Sequence, residues 1–373
     1  MLESPAEPRS GNQGRKAASS KGDASFIGSH SALIGSLRFT VSLIEANLHV
    51  PIYPFKLSHC LTYSCQSRCL TCRIWQLRPK NELTLPEISE FAFKNPYFGW
   101  VNLTGGEPFL RKDIVEIARA YAESSHPYLL SLITNGLCSP EDVAGKVPEM
   151  IGLCPRMVMS LSLDGTENVH DFIRGIPGNY RRVIDLAKQL MQFQSKQFHL
   201  IFSYTMSKYN EGRLPETIIA VGQELGEDPR FEVNLAQNSE EYYHNLGDGI
   251  SPAPSSVIRD IRSLKTKRDL MGLLELGFLR GLERYLVTGR MPVPSSELSN
   301  STYLDSYGNV WPSIMWNECL GNIRNTGYTL KPIWNGDRAE KLREQLARGE
   351  GPQHWTRCEA YPSLLANLAR LIR

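Results

Sequence analysis

The chain has 373 residues, a length that predicts one large domain with an appendage, or two domains. Hydrophobic residues make up 41% and charged residues 21%, as in an ordinary globular protein, and the net charge of +2 gives no electrostatic basis for binding nucleic acid or an acidic membrane surface. Residues 1–23 lack the apolar core of a secretory signal, and the apolar stretch 32–50 is too polar to span a bilayer. We therefore expect a cytoplasmic protein with no nucleic-acid partner and no membrane insertion.

The first half of the chain changes from a polar tail to a regular alternation of elements. Residues 1–31 are rich in Ser, Gly, Lys and Arg, which predicts a disordered tail. Residues 32–52 are predicted to form an N-terminal helical segment, with an amphipathic helix at 32–47. From residue 53, apolar runs of strand length alternate with segments of helical period. The predicted strands lie at residues 53–59, 100–104, 128–134, 156–163, 198–206 and 231–236.

This alternation predicts an α/β fold with parallel strands and right-handed crossovers. Six β/α units rather than eight predict a partial (β/α)6 TIM-like barrel, open on one side, over residues 53–250. In parallel β/α folds the chemistry gathers where the strands end and the loops begin. Functional residues are therefore expected at the carboxyl ends of the strands.

The alternation stops near residue 251. Residues 251–291 are predicted to be a helical connection, with one or two helices between 255 and 288. Residues 292–373 are predicted to form a small C-terminal α+β cap. Its predicted elements are a hairpin at 302–312 that turns at Gly308 and Asn309, and helices at 333–348 and 364–372.

Four of the eight cysteines are crowded into residues 60–72, and three of them follow the first predicted strand as Cys65-x3-Cys69-x2-Cys72. Clustered cysteines in a reducing compartment indicate metal or redox chemistry rather than disulfides. Zinc would need a fourth ligand, for which Cys60 or His59 is available. A [4Fe–4S] cluster would use three cysteines and leave one iron open. The spacing alone leaves both possibilities open.

The second predicted strand ends in LTGGEP, residues 103–108. Gly105 and Gly106 would let a ligand approach the backbone closely, and Glu107 could accept a hydrogen bond from an ammonium group. A tight turn between strand and helix is the simpler explanation of two glycines. In the same barrel mouth as a loop of three cysteines, the segment predicts a site for an amino acid beside a metal.

With both motifs in place, the chain resembles the radical S-adenosylmethionine (radical SAM) family. CQSRCLTC, residues 65–72, matches the family's cluster signature, and GGEP, residues 105–108, matches its methionine-amine motif. ITNG at 133–136 ends the third predicted strand. SLDG at 162–165 ends the fourth, and VHDFIRG follows at 169–175. The last two segments resemble the branch whose members carry a C-terminal SPASM or twitch extension.

The resemblance implies two cofactors, a [4Fe–4S] cluster and S-adenosylmethionine. Cys65, Cys69 and Cys72 would be the metal ligands and catalytic residues, and the reduced cluster would cleave S-adenosylmethionine to a 5′-deoxyadenosyl radical that abstracts a substrate hydrogen. Ser162 would contact the ribose or the methionine part. The residues expected to bind the cofactor are Gly105, Gly106, Glu107, Asn135, Ser162 and Arg174.

Thr71 departs from the family pattern, whereas Arg174 agrees with it. The residue before the last cysteine, often aromatic in the family, is Thr71, so adenine packing is expected from Trp75. Arg174 resembles the arginine that pairs with the methionine carboxylate, a role suited to a bidentate guanidinium. After the sixth strand, Tyr242, Tyr243 and His244 are candidates to touch substrate or quench a radical.

The C-terminal segment resembles a SPASM tail that has lost its thiolates. Positions where relatives place cysteines hold Ser295 or Ser296, Ser313, Gly351 and His354. Only Cys319 and Cys358 remain, too few to hold a cubane without other ligands. The tail is therefore predicted to be a cluster-free lid, with a metal site built from Cys319, Cys358 and His354 as the alternative.

The function that follows is that of a radical SAM enzyme with one [4Fe–4S] cluster, served by a one-electron donor such as flavodoxin or ferredoxin. Residues 1–52 do not resemble a peptide-binding wing, which favours a small metabolite such as a sugar or nucleoside as the substrate. The alternatives are a maturase that modifies a peptide or protein, a methylase that uses S-adenosylmethionine without radicals, and a metal-binding protein without catalysis.

Overall fold

The computed structural model describes residues 21–48, 53–266 and 270–368. The strands are β1 (Lys56–Cys60), β2 (Trp100–Thr104), β3 (Leu129–Thr134), β4 (Arg156–Ser162), β5 (Phe198–Met206), β6 (Phe231–Leu235), β7 (Ser301–Leu304), β8 (Asn309–Trp311) and β9 (Gly321–Asn322). The helices are α1 (Lys21–Asn47), α2 (Leu85–Lys94), α3 (Ile114–Ser125), α4 (Pro140–Ile151), α5 (Glu167–Arg174), α6 (Asn179–Met191), α7 (Leu214–Leu225), α8 (Pro254–Arg262), α9 (Leu270–Thr288), α10 (Lys331–Trp334), α11 (Asp337–Ala347) and α12 (Arg357–Leu365).

The predicted partial barrel is confirmed. The sheet has the order β6-β5-β4-β3-β2-β1-β7-β8-β9, and β1 to β6 pair as parallel neighbours. Strands β1 and β6 do not pair in the described part of the chain, so the barrel stays open. Helices α2 to α7 follow the strands in turn, and apolar residues between the sheet and these helices form the main core.

The C-terminal segment continues the barrel's own sheet. Strand β7 pairs in parallel with β1, with Ser301 opposite Lys56, and then turns at Gly308 into the antiparallel β8, which confirms the predicted hairpin. The helix predicted at 333–348 is interrupted at Gly336, between α10 and α11. The predicted position of the last helix, 364–372, is wrong, because α12 occupies Arg357–Leu365. Residues 369–373 lie outside the described residues.

Helix α1 closes the end of the barrel where the strands begin. It begins at Lys21 rather than at residue 32, and no proline interrupts it; residues 1–20 of the predicted tail lie outside the described residues. Phe39 stacks on Tyr128, just before β3, with ring centroids 5.1 Å apart, and meets Phe55, just before β1, edge to face at 5.7 Å. No helix in the described residues is long and apolar enough to cross a membrane.

Candidate functional site

The three predicted cysteine ligands lie on the loop after β1, which is fastened to the end of α5. The backbone N–H groups of Arg68 and Leu70 donate to the carbonyls of Arg174, at 2.9 Å, and of Ile173, at 2.8 Å. These two bonds hold the middle of the loop, including Cys69, against the end of the helix.

The thiols have polar neighbours from three different elements. Asn135 Nδ2 donates to Cys65 Sγ over 3.6 Å. Arg174 Nη1 donates to Cys69 Sγ over 3.7 Å, and Ser67 Oγ lies 3.1 Å from the same sulfur. Donors aimed at sulfur stabilise a thiolate over a thiol. The loop therefore presents its sulfurs to groups suited to anionic ligands.

Burial keeps the thiols of Cys65 and Cys72 protonated in the absence of a metal. It raises the pKa of Cys65 to about 12, and it raises the pKa of Cys72 as well. Thiols must lose their protons to bind iron or zinc, so loading this loop with metal releases protons.

The Gly-Gly-Glu turn after β2 packs directly against the cysteine loop. The N–H groups of Gly106 and Glu107 donate to the carbonyls of Thr62, at 2.7 Å, and of Ser64, at 2.9 Å. A Cβ on Gly106 would lie 2.3 Å from the carbonyl oxygen of Ser64 and 2.9 Å from Cβ of Cys65. The glycine is required here because no side chain fits between the two segments.

Glu107 lies fully buried behind the cavity wall formed by the two glycines. Its carboxylate accepts hydrogen bonds from the backbone N–H groups of Asn135, at 2.7 Å, and Phe109, at 3.1 Å. Burial raises the pKa of Glu107 to about 7, against the opposing effect of these bonds. The side chain thus ties the end of β2 to the end of β3, and the predicted contact with an ammonium group stays a prediction.

The other predicted cofactor residues gather at the same barrel mouth. Ser162 ends β4 and lines the cavity. Arg174 lines it as well, and its Nε lies 2.7 Å from Oδ2 of the buried Asp164. Asn135 follows β3, and its carbonyl accepts a hydrogen bond from Asn179 Nδ2 at 2.9 Å. The structure therefore brings all the predicted site residues together, while their roles stay predictions.

The arrangement suits a cluster better than a zinc ion. His59, one of the two possible fourth zinc ligands, points out of the barrel, where its Nδ1 lies 2.8 Å from the hydroxyl of Tyr121 on α3. Among the described residues, no three His, Cys, Asp or Glu side chains are placed to hold one ion together. A cubane does not require that, because each cysteine binds a different iron. Three thiols on one loop, beside a glycine turn open to a ligand, fit a cluster with one free corner.

A cavity of about 940 Å³ leads from the cysteine loop down the barrel to α1. Thr71 and Trp75 line it near the cysteines, and Tyr242 and Tyr243 line it from the loop after β6. Trp75 Nε1 donates to the carbonyl of Cys72 at 3.0 Å, which fixes the indole beside the loop. This volume is at the upper end of the range for small-molecule sites.

Sequence reasoning missed the cationic side chains and the histidine deep in this cavity. The wall includes Lys56, Arg156, His199, Arg230 and Arg357. A signal was present, because inward positions alternate along a strand and those of β4 include Arg156, Ser160 and Ser162. When the inward face of a barrel strand carries polar residues, the barrel interior is a cavity with a polar wall and not a packed apolar core.

Comparisons with known proteins agree with this site. Residues 60–220 match the family model of the Radical SAM superfamily. AdoMet-dependent heme synthase of Methanosarcina barkeri is 31% identical over 172 residues, which are 44% of this chain and 46% of the relative. GTP 3′,8-cyclase of Haemophilus ducreyi is 28% identical over 243 residues, 60% of this chain and 69% of the relative. The chain thus spans about half the length of the heme synthase.

Solved structures share the fold. Native anSMEcpe with bound AdoMet has a TM-score of 0.54 at 15% identity, over 85% of this chain and 98% of that one. SuiB of Streptococcus suis, bound to S-adenosylmethionine, has a TM-score of 0.53 at 15% identity, over 78% of this chain and 68% of that one.

The open parallel barrel, the cysteine loop and the glycine turn are the features expected of an iron–sulfur protein that uses S-adenosylmethionine. Residues 60–220, somewhat less than half of the chain, thus resemble the radical SAM superfamily. The cofactors of this superfamily are a [4Fe–4S] cluster and S-adenosylmethionine, and the residues at the barrel mouth fit both.

Proposed function

We propose that this protein is a radical SAM enzyme that acts on a small metabolite in a biosynthetic pathway and takes its electrons from a donor such as flavodoxin or ferredoxin. When bound, the reduced cluster supplies the electron that cleaves S-adenosylmethionine to methionine and a 5′-deoxyadenosyl radical, which takes a hydrogen atom from the substrate. The observation that supports this most strongly is the packing of Gly106 against Ser64 and Cys65. It joins the cluster motif and the methionine motif into one surface.

The protein's own residues bind and orient the cofactors. Cys65, Cys69 and Cys72 would hold the cluster, and Gly105 and Gly106 line the neighbouring cavity, where S-adenosylmethionine would bind. Arg174 would bind the methionine carboxylate, and Asp164, 2.7 Å from its Nε, orients the guanidinium.

A small metabolite is favoured by the shape of the cavity. Helix α1 closes its base, Tyr242 lines it from the loop after β6, and Cys358 lines it from the C-terminal segment. One of the chain's relatives, GTP 3′,8-cyclase, is named for a small-molecule substrate. A maturase of peptides stays the second candidate, because SuiB, which shares the fold, has been solved with a precursor peptide.

The experiment that tests the proposal is anaerobic incubation of the reconstituted, reduced protein with S-adenosylmethionine. We expect slow formation of 5′-deoxyadenosine and methionine in the absence of substrate, measured by chromatography. If S-adenosylhomocysteine were the sole product, the protein would be a methylase that works without radicals.

The C-terminal segment is proposed to be a lid without an auxiliary cluster. Nε2 of the buried His354 lies 3.0 Å from Oε1 of Glu297, and the N–H of Ser296 donates to Ser363 Oγ at 2.9 Å. The hydroxyl of Ser296 also accepts a hydrogen bond from Ser363 Oγ at 3.2 Å, so both side chains are part of the protein's internal packing. Trp311 and Ile314, also buried, pack in one cluster with Tyr242 at the barrel mouth.

The Cys319→Ser, Cys358→Ser double variant should keep the iron content of the wild type. The iron content should not change because the lid is proposed to hold no cluster. Serine binds iron far more weakly than cysteine, so any second cluster held by these two residues would be lost. Iron and acid-labile sulfide per chain are the measurement. A loss of about four irons per chain, the content of one cubane, would show that the lid holds a cluster of its own.

A further inference from the structure

The base of the cavity carries a row of residues that the proposed reaction does not use. In the register of the sheet, Lys56 lies opposite Trp100, Trp100 opposite Leu129, and Leu129 opposite Arg156. All four line the cavity next to α1. Arg156 begins β4 and Ser162 ends it, so at about 3.3 Å per residue the row lies roughly 20 Å from the cofactor end.

The charges on the cavity wall do not balance. The wall has one carboxylate, Glu232, against five cationic side chains, which are Lys56, Arg156, Arg174, Arg230 and Arg357. Removing a cationic side chain from water into a cavity costs free energy unless an anion lies beside it. Most of these cations have an anionic or other acceptor group of the protein beside them, and one lacks an anionic partner.

Four of the five cations already have partners or neighbouring carboxylates within the protein. Arg174 pairs with Asp164, and Arg357 pairs with Glu232 and Glu275. Lys56 donates to the carbonyl of Cys358 and lies over the ring of Trp100, 4.8 Å from its centroid. Arg230 lies near Glu232 and Glu275, and its charge favours their ionised carboxyls, although burial raises the pKa of Glu232.

Arg156 differs because its described partners are neutral. Its Nε donates to the hydroxyl of Tyr128 at 3.0 Å, and its Nη1 lies 3.0 Å from Nε2 of His199. A guanidinium can only donate, so His199 accepts this bond as a neutral imidazole. No carboxylate of the described residues lies within ion-pair distance of Arg156, and Nη2 remains for a bond to an anion.

The middle of the cavity also presents a polar group without a partner. The hydroxyl of Ser58, a residue only 2% exposed, lines the cavity and has no hydrogen-bond partner among the described residues. The neighbouring Trp100 Nε1 donates to Ser131 Oγ, which donates to Asn102 Oδ1, both at 2.9 Å. A buried hydroxyl left unpaired is an unsatisfied group that a polar ligand would pair.

We infer that the substrate is an elongated polar metabolite with a phosphate or carboxylate group, and that Arg156 binds this anion at the base of the cavity. The inference rests on the proposed function, because it assigns the far end of the same cavity. The anion accepts hydrogen bonds from the guanidinium, the polar middle of the ligand pairs with Ser58, and the reacting end lies toward the cysteine loop. The wall thus selects against neutral and cationic substrates.

The test uses two probes, inorganic pyrophosphate and citrate, which separate phosphate from carboxylate recognition. Binding to the full chain is measured by calorimetry at low ionic strength for the wild type, Arg156→Gln, Arg156→Lys and the control Arg348→Gln. Arg348 is exposed immediately after α11, where it pairs with Glu350. We expect at least one probe to bind the wild type and Arg348→Gln equally, and about tenfold or more weaker binding to Arg156→Gln.

The lysine variant and a folding measurement keep the test decisive. Arg156→Lys keeps a positive charge but not the planar fork, so its affinity should fall between those of the wild type and Arg156→Gln. Thermal unfolding of Arg156→Gln must show a folded protein; if it does not, the lysine variant alone decides. The inference is overturned if neither probe binds the wild type, or if each probe that binds it binds the Arg156 variants as tightly.

The same preparations separate this inference from the proposed function. Formation of 5′-deoxyadenosine by the wild type, without binding of either probe, would overturn the anion site and leave the radical SAM function intact. Binding of a probe that depends on Arg156, in a protein that never forms 5′-deoxyadenosine, would support the anion site and count against the function.

Discussion

Replacing Cys65, Cys69 and Cys72 together by alanine should reduce the iron of the reconstituted protein from about four per chain to none. The three thiols are the proposed protein ligands of the cluster, and the polar groups nearest them, Asn135 Nδ2 and Arg174 Nη1, donate to sulfur. Formation of 5′-deoxyadenosine should disappear with the iron. Iron and sulfide analysis and chromatography of the products are the measurements.

The control for this variant is Cys154→Ala, which removes a buried thiol from the core beside β4 and far from the loop. It should lower stability slightly and keep all of its iron. A triple variant that still held iron and sulfide in the amounts of a cubane would place the cluster elsewhere and contradict the assigned site.

Gly106→Ala should damage the cofactor site without removing any ligand. The added methyl group would lie 2.3 Å from the carbonyl oxygen of Ser64, so the cysteine loop or the turn must move. Such overpacking costs about 1–3 kcal/mol of the free energy of unfolding. We expect S-adenosylmethionine to bind about tenfold more weakly or worse, measured by equilibrium dialysis of the reconstituted protein.

Gly145→Ala is the matched control. Gly145 lies on the exposed side of α4, and a Cβ there would meet no other atom within 4 Å. Alanine in a helix is favoured over glycine by about 0.5–1 kcal/mol, so this variant should be slightly more stable and bind the cofactor normally. Equal cofactor affinity in both variants would mean that the turn does not shape the binding surface.

The barrel was predictable because its signals are local. Each strand from β2 to β6 is a short apolar run followed by an amphipathic helix, and strand ends such as those of β2 and β5 lie where they were predicted. The N-terminal cap of α2 is also a local signal, because Thr84 and Glu87, which form its capping box, are only three residues apart. Right-handed crossovers then leave little choice of topology.

Features that depend on distant contacts were not predictable. The pairing of β7 with β1 joins segments about 240 residues apart, and nothing in the local sequence indicates it. Helix α12 was placed too late because its first turn is stabilised by partners elsewhere, such as the N–H of Arg357 donating to Asn234 Oδ1 at 2.8 Å. Short apolar patterns do not contain this information.

The parts of the candidate site that lie in contiguous motifs could be predicted from the sequence. The charged residues of the cavity could not, because they lie on separate strands. The cysteine loop and the glycine turn are contiguous motifs, and the structure brings them into contact. Arg156 and His199 come from different strands, and only the register of the sheet places them together. The oxygens of Glu107 accept backbone N–H groups, a network that the sequence did not indicate, and its predicted contact with an ammonium group stays a prediction.

The central claim is that Cys65, Cys69 and Cys72 hold a [4Fe–4S] cluster at the mouth of the barrel. The most direct test is to measure iron, sulfide and zinc in the anaerobically reconstituted wild-type protein. We predict about four irons and four sulfides per chain and no stoichiometric zinc. One zinc per chain with no sulfide would contradict the account.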